Sequence, residues 1–340
     1  MSDSRIRVAV DAMGGDRAPA EIVAGALRAA ADLDFQLLLV GERSRIAPLL
    51  GRRAAARQVE LVDSNAQVAM DEAPAAAVRR GTATSMARAV ELLREGAADA
   101  AFSAGNSGAF LAIATVRLRT LPGIARPAIA TVWPARKGPM LLLDAGANVD
   151  CRPEWLVQFA VMGSAYARGV LGVPEPRVGL LSIGEERTKG NALTEAAFTL
   201  LSDAPIRFAG NVEGGDLLLG DVDVIVCDGF VGNVALKVAE GAGEYVFGTM
   251  RELAAAGLRA KVGALLLSPM LRALRSRMDY REYGGAPLLG VRGVCLIGHG
   301  RADALAVENA CRAAVRAVRR DVVGAIGGLL ASTAPVRGPS

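Results

Sequence analysis

Short apolar runs alternate along the chain with longer Ala-rich stretches, and glycine-containing segments separate the two. The first unit shows all three parts. A strand is expected at 6–10, the turn DAMGGD follows at 11–16, and a helix at 19–31 comes next. Further strands are expected at 35–40 and 59–62. In 84–94 the spacing of Met86, Ala89, Val90 and Leu93 predicts a helix. A buried strand at 100–102 ends on SAGNSG, with a helix from about Ala109. Strands follow at 129–132 and 140–143, then a helix at 154–167 that Pro153 introduces. The second half repeats the alternation. Strands are expected at 177–182, 222–227 and 294–297, a helix opens at 233–241, and 302–318 forms the final helix.

Strands that alternate with helices predict an α/β fold with a doubly wound, mostly parallel sheet. No linker-like segment divides the chain, so residues 1–332 are read as one catalytic unit with two lobes around a cleft. Residues 333–340 are read as a flexible tail. Hydrophobic residues make up 52% of the chain and aromatics only 4%, so the core has to be aliphatic. Charge changes the picture little. The formal net charge of +4 comes from 39 basic and 35 acidic residues, without the concentrated basic patch and stacking aromatics of a nucleic-acid binder. It suits acidic partners. One His and four widely spaced Cys argue against a zinc site and for a reducing compartment. The N-terminus does not read as a signal peptide, and no apolar run approaches the ~18 residues of a membrane span. A cytoplasmic location is the expectation.

Five glycine-rich segments directly follow expected strands: DAMGGD (11–16), SAGNSG (103–108), DAGANVD (144–150), SIGEERTKGN (182–191) and CDGFVGN (227–233). In a parallel sheet the C-terminal strand ends gather ligands. Glycines let backbone N–H groups approach an anion, and a following helix N-terminus adds partial positive charge. Five such loops at one sheet edge predict a polar, anion-tolerant cleft. The candidate phosphate- and substrate-binding residues are Asp11, Gly14, Gly15, Asn106, Ser107, Gly108, Asn148, Asp228 and His299. There is no P-loop, no GxGxxG after the first strand and no GxSxG elbow, so no nucleotide cofactor or serine nucleophile is expected. A catalyst with one His and no metal motif has to work by positioning and electrostatics, and phosphate suits it as a ready-made anionic nucleophile. Lysine occurs only at 137, 189, 237 and 261, which draws attention to Lys189 in its polar loop, either as a holder of phosphate charge or as a solvated side chain. Asn233 reads as a thioester- or phosphate-contacting amide or as a helix cap. Cys227 ends an apolar run and reads as a buried structural thiol rather than a nucleophile.

Together, VAVDAMGGD (8–16), SAGNSGA (103–109), LLDAGANVD (142–150), LLSIGEERTKGN (180–191), GNVEGGDL (210–217), CDGFVGNVALK (227–237), YGGAPLLGV (283–291) and IGHG (297–300) resemble the bacterial phosphate acyltransferase family. The resemblance spans nearly the whole chain. It implies a three-layer α/β fold similar to phosphotransacetylases and isocitrate-type dehydrogenases. It also implies reversible conversion of acyl carrier protein thioester plus inorganic phosphate to acyl phosphate plus free carrier, for phospholipid synthesis. It further implies a homodimer, peripheral membrane contact, and proximity to the glycerol phosphate acyltransferase that consumes acyl phosphate. Lys189 and Asn233 fall at the positions expected to be catalytic. One departure is visible: Arg301 and Ala302 stand after GHG where the family usually carries small hydroxyl residues.

Residues 262–278 place Leu266, Leu267 and Met270 among other apolar positions near Arg272, Arg275 and Arg277, with Pro269 expected to split two short helices. The segment is too short to span a membrane. It reads as a membrane contact or as a core or subunit-interface hairpin. The rival readings of the whole chain are a nicotinamide-dependent decarboxylating dehydrogenase on the related fold and an acyl-chain-binding scaffold without turnover.

Overall fold

The computed structural model describes residues 5–51, 58–277, 281 and 283–332. The 333–340 segment lies outside the described residues. The strands are β1 (Arg7–Asp11), β2 (Gln36–Gly41), β3 (Val59–Asp63), β4 (Ala100–Ser103), β5 (Ala128–Ala135), β6 (Gly138–Leu143), β7 (Arg177–Leu181), β8 (Arg207–Val212), β9 (Val224–Val226), β10 (Ala286–Leu289) and β11 (Val294–Ile297). They form one sheet in the order β3-β2-β1-β4-β11-β10-β5-β6-β9-β7-β8. Pairing is parallel within β3-β2-β1-β4-β11 and within β6-β9-β7-β8. The β11–β10, β10–β5 and β5–β6 contacts are antiparallel. The sheet is mostly parallel, as the alternation predicts.

Helices cover both faces, which makes three layers. Val8 and Val10 point toward Ile22 and Ala26 of the Ala20–Asp32 helix and Val307 of the Ala304–Arg319 helix, whereas Ala9 packs with Ala89 on the other face. In the second half Leu141 and Leu143 face the Pro153–Tyr166 helix, and Met140 and Leu142 face the opposite layer. This alternation is what burial on both faces demands of a central strand.

Two strands escape the sequence pattern. β10 is four residues long, carries Pro287 and is flanked by glycines, which reads as a turn. β8 is an edge strand whose outer half stays exposed. Three helix expectations also change. The helix expected to open at Asn233 starts at Gly229 and runs to Ala255. Pro269 lies inside one continuous helix, Leu258–Arg277, instead of dividing two. The helix expected to be last ends at Arg319 and is followed by Val322–Ser332.

Candidate functional site

Three antiparallel contacts separate the two parallel blocks, and an odd number reverses strand direction. The C-terminal ends of β1, β4 and β11 therefore point one way along the sheet, and those of β6, β9 and β7 point the other. The five loops do not share one edge, as the sequence suggested. They form two groups.

The first group holds Asp11, Gly14, Gly15, Asn106, Ser107, Gly108 and His299. Asp11 is fully buried. Its carboxylate accepts the Ser103 hydroxyl at 2.7 Å and the Met13 N–H at 3.2 Å. Burial pushes its pKa up, and these hydrogen bonds oppose the rise. A Cβ on Gly14 would sit 2.6 Å from Asp11 Oδ2 and 2.8 Å from Ser103 Oγ, so only glycine lets the turn close over this pair. The loop is tied to the GHG segment by Asp16 N–H to Gly300 O at 2.8 Å, and Gly298 N–H donates to Ser103 O at 2.8 Å. Asn106 is largely occupied by structure. Its Oδ1 caps the Ser107–Leu118 helix through Ala109 N–H, and its Nδ2 donates to Met70 O and Glu72 O. Ser107 is exposed at the first turn of that helix. His299 Nδ1 accepts the Arg301 N–H at 3.1 Å, which puts the proton of the neutral ring on Nε2.

The second group holds Asn148, Asp228, Lys189 and Asn233, and it is organised by Asp144, the first residue of the DAGANVD loop. Asp144 is completely buried. Its Oδ1 accepts N–H groups of Ile129, Gly146 and Ala147 at 3.0, 3.2 and 3.0 Å, and its Oδ2 accepts the Asn148 N–H at 2.6 Å and Asn148 Nδ2 at 2.9 Å. Burial pushes its pKa up against these five donors. Asn148 also donates Nδ2 to Pro127 O and accepts Gly229 N–H through its carbonyl at 2.7 Å, linking this loop to the start of the long helix.

Asp228, not Asn233, is the N-cap of that helix, accepting Val231 N–H at 2.9 Å. Asn233 is therefore exposed one turn in, with its amide over Gly146, where a Cβ would lie 3.6 Å from it. The Lys189 loop follows β7, the strand beside β9. Its backbone is pinned by Ser182 Oγ to Lys189 O at 2.9 Å and by Asn211 Nδ2 to Glu186 O at 2.9 Å. The Lys189 side chain is exposed and makes no ion pair among the described residues. The Ala192–Ser202 helix begins directly after it on an Asn191–Thr194 capping box. Lys189 and the starts of these two helices thus follow neighbouring parallel strands, and helix N-termini favour an anion. Cys227 is buried. Burial, with Asp228 and Asp144 nearby, raises its pKa well above the usual thiol range and keeps it protonated.

A family model described as fatty acid synthesis protein matches residues 6–324. The chain is 52% identical over 326 residues to the phosphate acyltransferase of Nostoc punctiforme, covering 95% of this chain and 96% of that protein. It is 49% identical over 324 residues to that of Moorella thermoacetica, with coverage of 95% and 96%. The chain belongs to the phosphate acyltransferase family. It is an acyltransferase. The fold places it beside a phosphotransacetylase from Streptococcus pyogenes, at TM-score 0.63 and 16% identity over 93% of this chain and 94% of that one. It also lies beside a 4-hydroxythreonine-4-phosphate dehydrogenase from Klebsiella pneumoniae, at 0.55 and 14% over 93% and 100%.

Where this phosphate acyltransferase family member departs from the usual hydroxyl residues, Ala302 is buried and Arg301 extends outward, 4.0 Å from Glu244 of the long helix. Leu266, Leu267 and Met270 are 76%, 50% and 58% exposed on the Leu258–Arg277 helix, which packs against the Gly229–Ala255 helix. No helix among the described residues is long and apolar enough to cross a membrane.

Proposed function

We propose that the chain moves a fatty acyl group from the thioester of acyl carrier protein to inorganic phosphate, reversibly, giving acyl phosphate and the free carrier thiol. The observation that carries this reading is Lys189: an exposed ammonium without an ion-pair partner among the described residues, one capped helix N-terminus beside it and a second on the neighbouring strand. That setting suits phosphate, which needs positioning more than activation. Its oxygen attacks the thioester carbonyl while Lys189 balances charge. The Asn233 amide donates to the developing oxyanion, the C–S bond breaks, and the carrier thiolate leaves with the electron pair. Cys227, held protonated, forms no acyl intermediate. Asn148 and Asp228 shape the loops around this centre, and the Asp11–Gly14–His299 group, on strand ends that point the other way, takes no part in this step.

We propose further that the protein is a cytoplasmic homodimer partly associated with membrane, where the product passes to a glycerol phosphate acyltransferase. The exposed apolar residues of the Leu258–Arg277 helix support a contact of that kind.

The test is acyl phosphate formation by Lys189→Ala. Loss of a charge-assisted contact to the transition state costs on the order of 3 kcal/mol, roughly a hundredfold in turnover. Asn233→Ala is expected to reduce turnover without moving stability, since Asp228 does the capping. A folded Lys189→Ala enzyme with near-normal turnover would remove Lys189 from the reaction.

A further inference from the structure

Two arginines share one aromatic ring. The guanidinium carbon of Arg126 lies 5.4 Å from the Trp155 centroid and that of Arg152 lies 6.0 Å from it, the range in which an indole face attracts a cation. Trp155 is half-buried against the core of the second half. Both arginines are exposed, and neither makes an ion pair among the described residues.

Folding alone does not account for this pair. Like charges drawn to one ring repel each other, and no ion pair offsets the repulsion. Arg152 is also the N-cap of the Pro153–Tyr166 helix, and its side chain does no capping. Glu154 in the first turn complements the helix dipole, whereas a cation at Arg152 opposes it, where Ser, Thr, Asp or Asn would stabilise. Both costs fall when an anion sits between the guanidiniums. The backbone around them is held in place. Ala125 N–H donates to Gln158 Oε1 of the same helix at 2.8 Å, and Pro127 O accepts Asn148 Nδ2 at 2.8 Å.

The pair stands at the same end of the sheet as Lys189. β5, which Arg126 precedes, begins where its antiparallel neighbour β6 ends. The Pro153–Tyr166 helix packs beside the Ala192–Ser202 helix on one face of the sheet. β6 and β7 are separated only by β9, so their ends lie two strand spacings apart, roughly 10 Å.

We propose that Arg126 and Arg152, held on Trp155, dock the phosphodiester of the acyl donor's pantetheine arm. Guanidinium groups fork onto phosphate oxygens. With its thioester over Lys189 and Asn233, the arm crosses from the β7 loop to the β6 loop and brings its phosphate to the arginines. This docking role rests on the carrier-thioester reading above.

The test joins isothermal titration to kinetics on the full chain. Wild type is expected to bind 4′-phosphopantetheine about tenfold more tightly than pantetheine, which lacks the phosphate. An Arg126→Gln, Arg152→Gln double variant, changed only at exposed side chains, is expected to lose that preference while staying folded. With long-chain acyl carrier protein as donor, its KM for the donor should rise about tenfold, with kcat within a few-fold of wild type and the KM for inorganic phosphate unmoved. Equal affinity of wild type for the two pantetheines would overturn the proposal. So would a variant whose KM rises for inorganic phosphate and not for the donor, which would make the pair an acceptor site. Acyl phosphate formation by a chain without the phosphate preference would overturn the docking role alone. A chain that shows the preference but makes no acyl phosphate would support the docking role and overturn the transfer reaction.

Discussion

Two glycines of the Gly229–Ala255 helix give opposite expectations for the same Gly→Ala change. At Gly232 a Cβ would lie 1.9 Å from the Asp144 carbonyl oxygen and 3.1 Å from Cys227 Sγ. The Asp144 backbone cannot easily retreat, because its N–H is bonded to Cys227 O at 3.0 Å and Cys227 N–H to Leu143 O at 2.7 Å. The helix start has to move by more than an ångström instead. That strains the Gly229 N–H to Asn148 O bond and the Asp228 cap. Overpacking costs about 1–3 kcal/mol and a lost cap about 1 more, against about 1 regained from helix propensity. The net loss is about 1–3 kcal/mol, or roughly 3 °C in melting temperature for a chain of this length. Asn233 is the next residue, so its amide shifts as well, and a displacement near 1 Å costs turnover on the order of a hundredfold. At Gly241 a Cβ meets nothing within 4 Å, so Gly241→Ala should stabilise by about 1 kcal/mol and leave turnover alone. Thermal unfolding and turnover of both variants decide the matter. A Gly232→Ala enzyme as stable and active as wild type would refute the close approach between this helix and the Asp144 loop.

Cys227→Ala should keep turnover within a few-fold, with intact-mass measurement showing no acyl adduct on the wild-type thiol; a folded but inactive variant would point to a covalent route. Asp11 has its pKa raised by burial, so its contribution to stability is full below the ordinary carboxylate value and is lost as pH rises through the raised one. The melting temperature of Asp11→Asn relative to wild type should therefore increase as pH rises from about 4 toward 7, and a falling difference would contradict the burial argument. A Leu266→Glu, Leu267→Glu double variant should lose co-sedimentation with anionic vesicles while staying folded; unchanged vesicle binding would clear the hairpin of membrane contact, and a changed oligomeric state would assign it to a subunit interface.

The alternating layers were legible because each buried strand is a nearly uninterrupted aliphatic run, from Val8 to Val10 and from Leu141 to Leu143. The direction of the second half was not. It turns on β10, a four-residue strand around Pro287 whose local signals all argue against a strand, and that strand decides whether five polar loops share an edge or divide between two. Individual loop residues were legible by type but not by task. Asn106 and Asp228 look like ligand contacts in sequence, and both spend side-chain oxygens on helix caps. Asp144 looks like one acid among several, and its five N–H donors come from its own loop and from Ile129, 15 residues away in the chain, which only the β5–β6 pairing brings close. Lys189 stood out because lysine is rare in this chain, a compositional signal that survives without knowledge of the fold.

The central claim is that phosphate itself accepts the acyl group. The most direct measurement is mass spectrometry of the products formed when the purified chain meets long-chain acyl carrier protein and inorganic phosphate. Acyl phosphate and free carrier should appear in equal amounts, and the reaction should run backward from acyl phosphate and carrier thiol. Release of free fatty acid in place of acyl phosphate, or carrier thioester left intact by an enzyme shown to be folded, would contradict it.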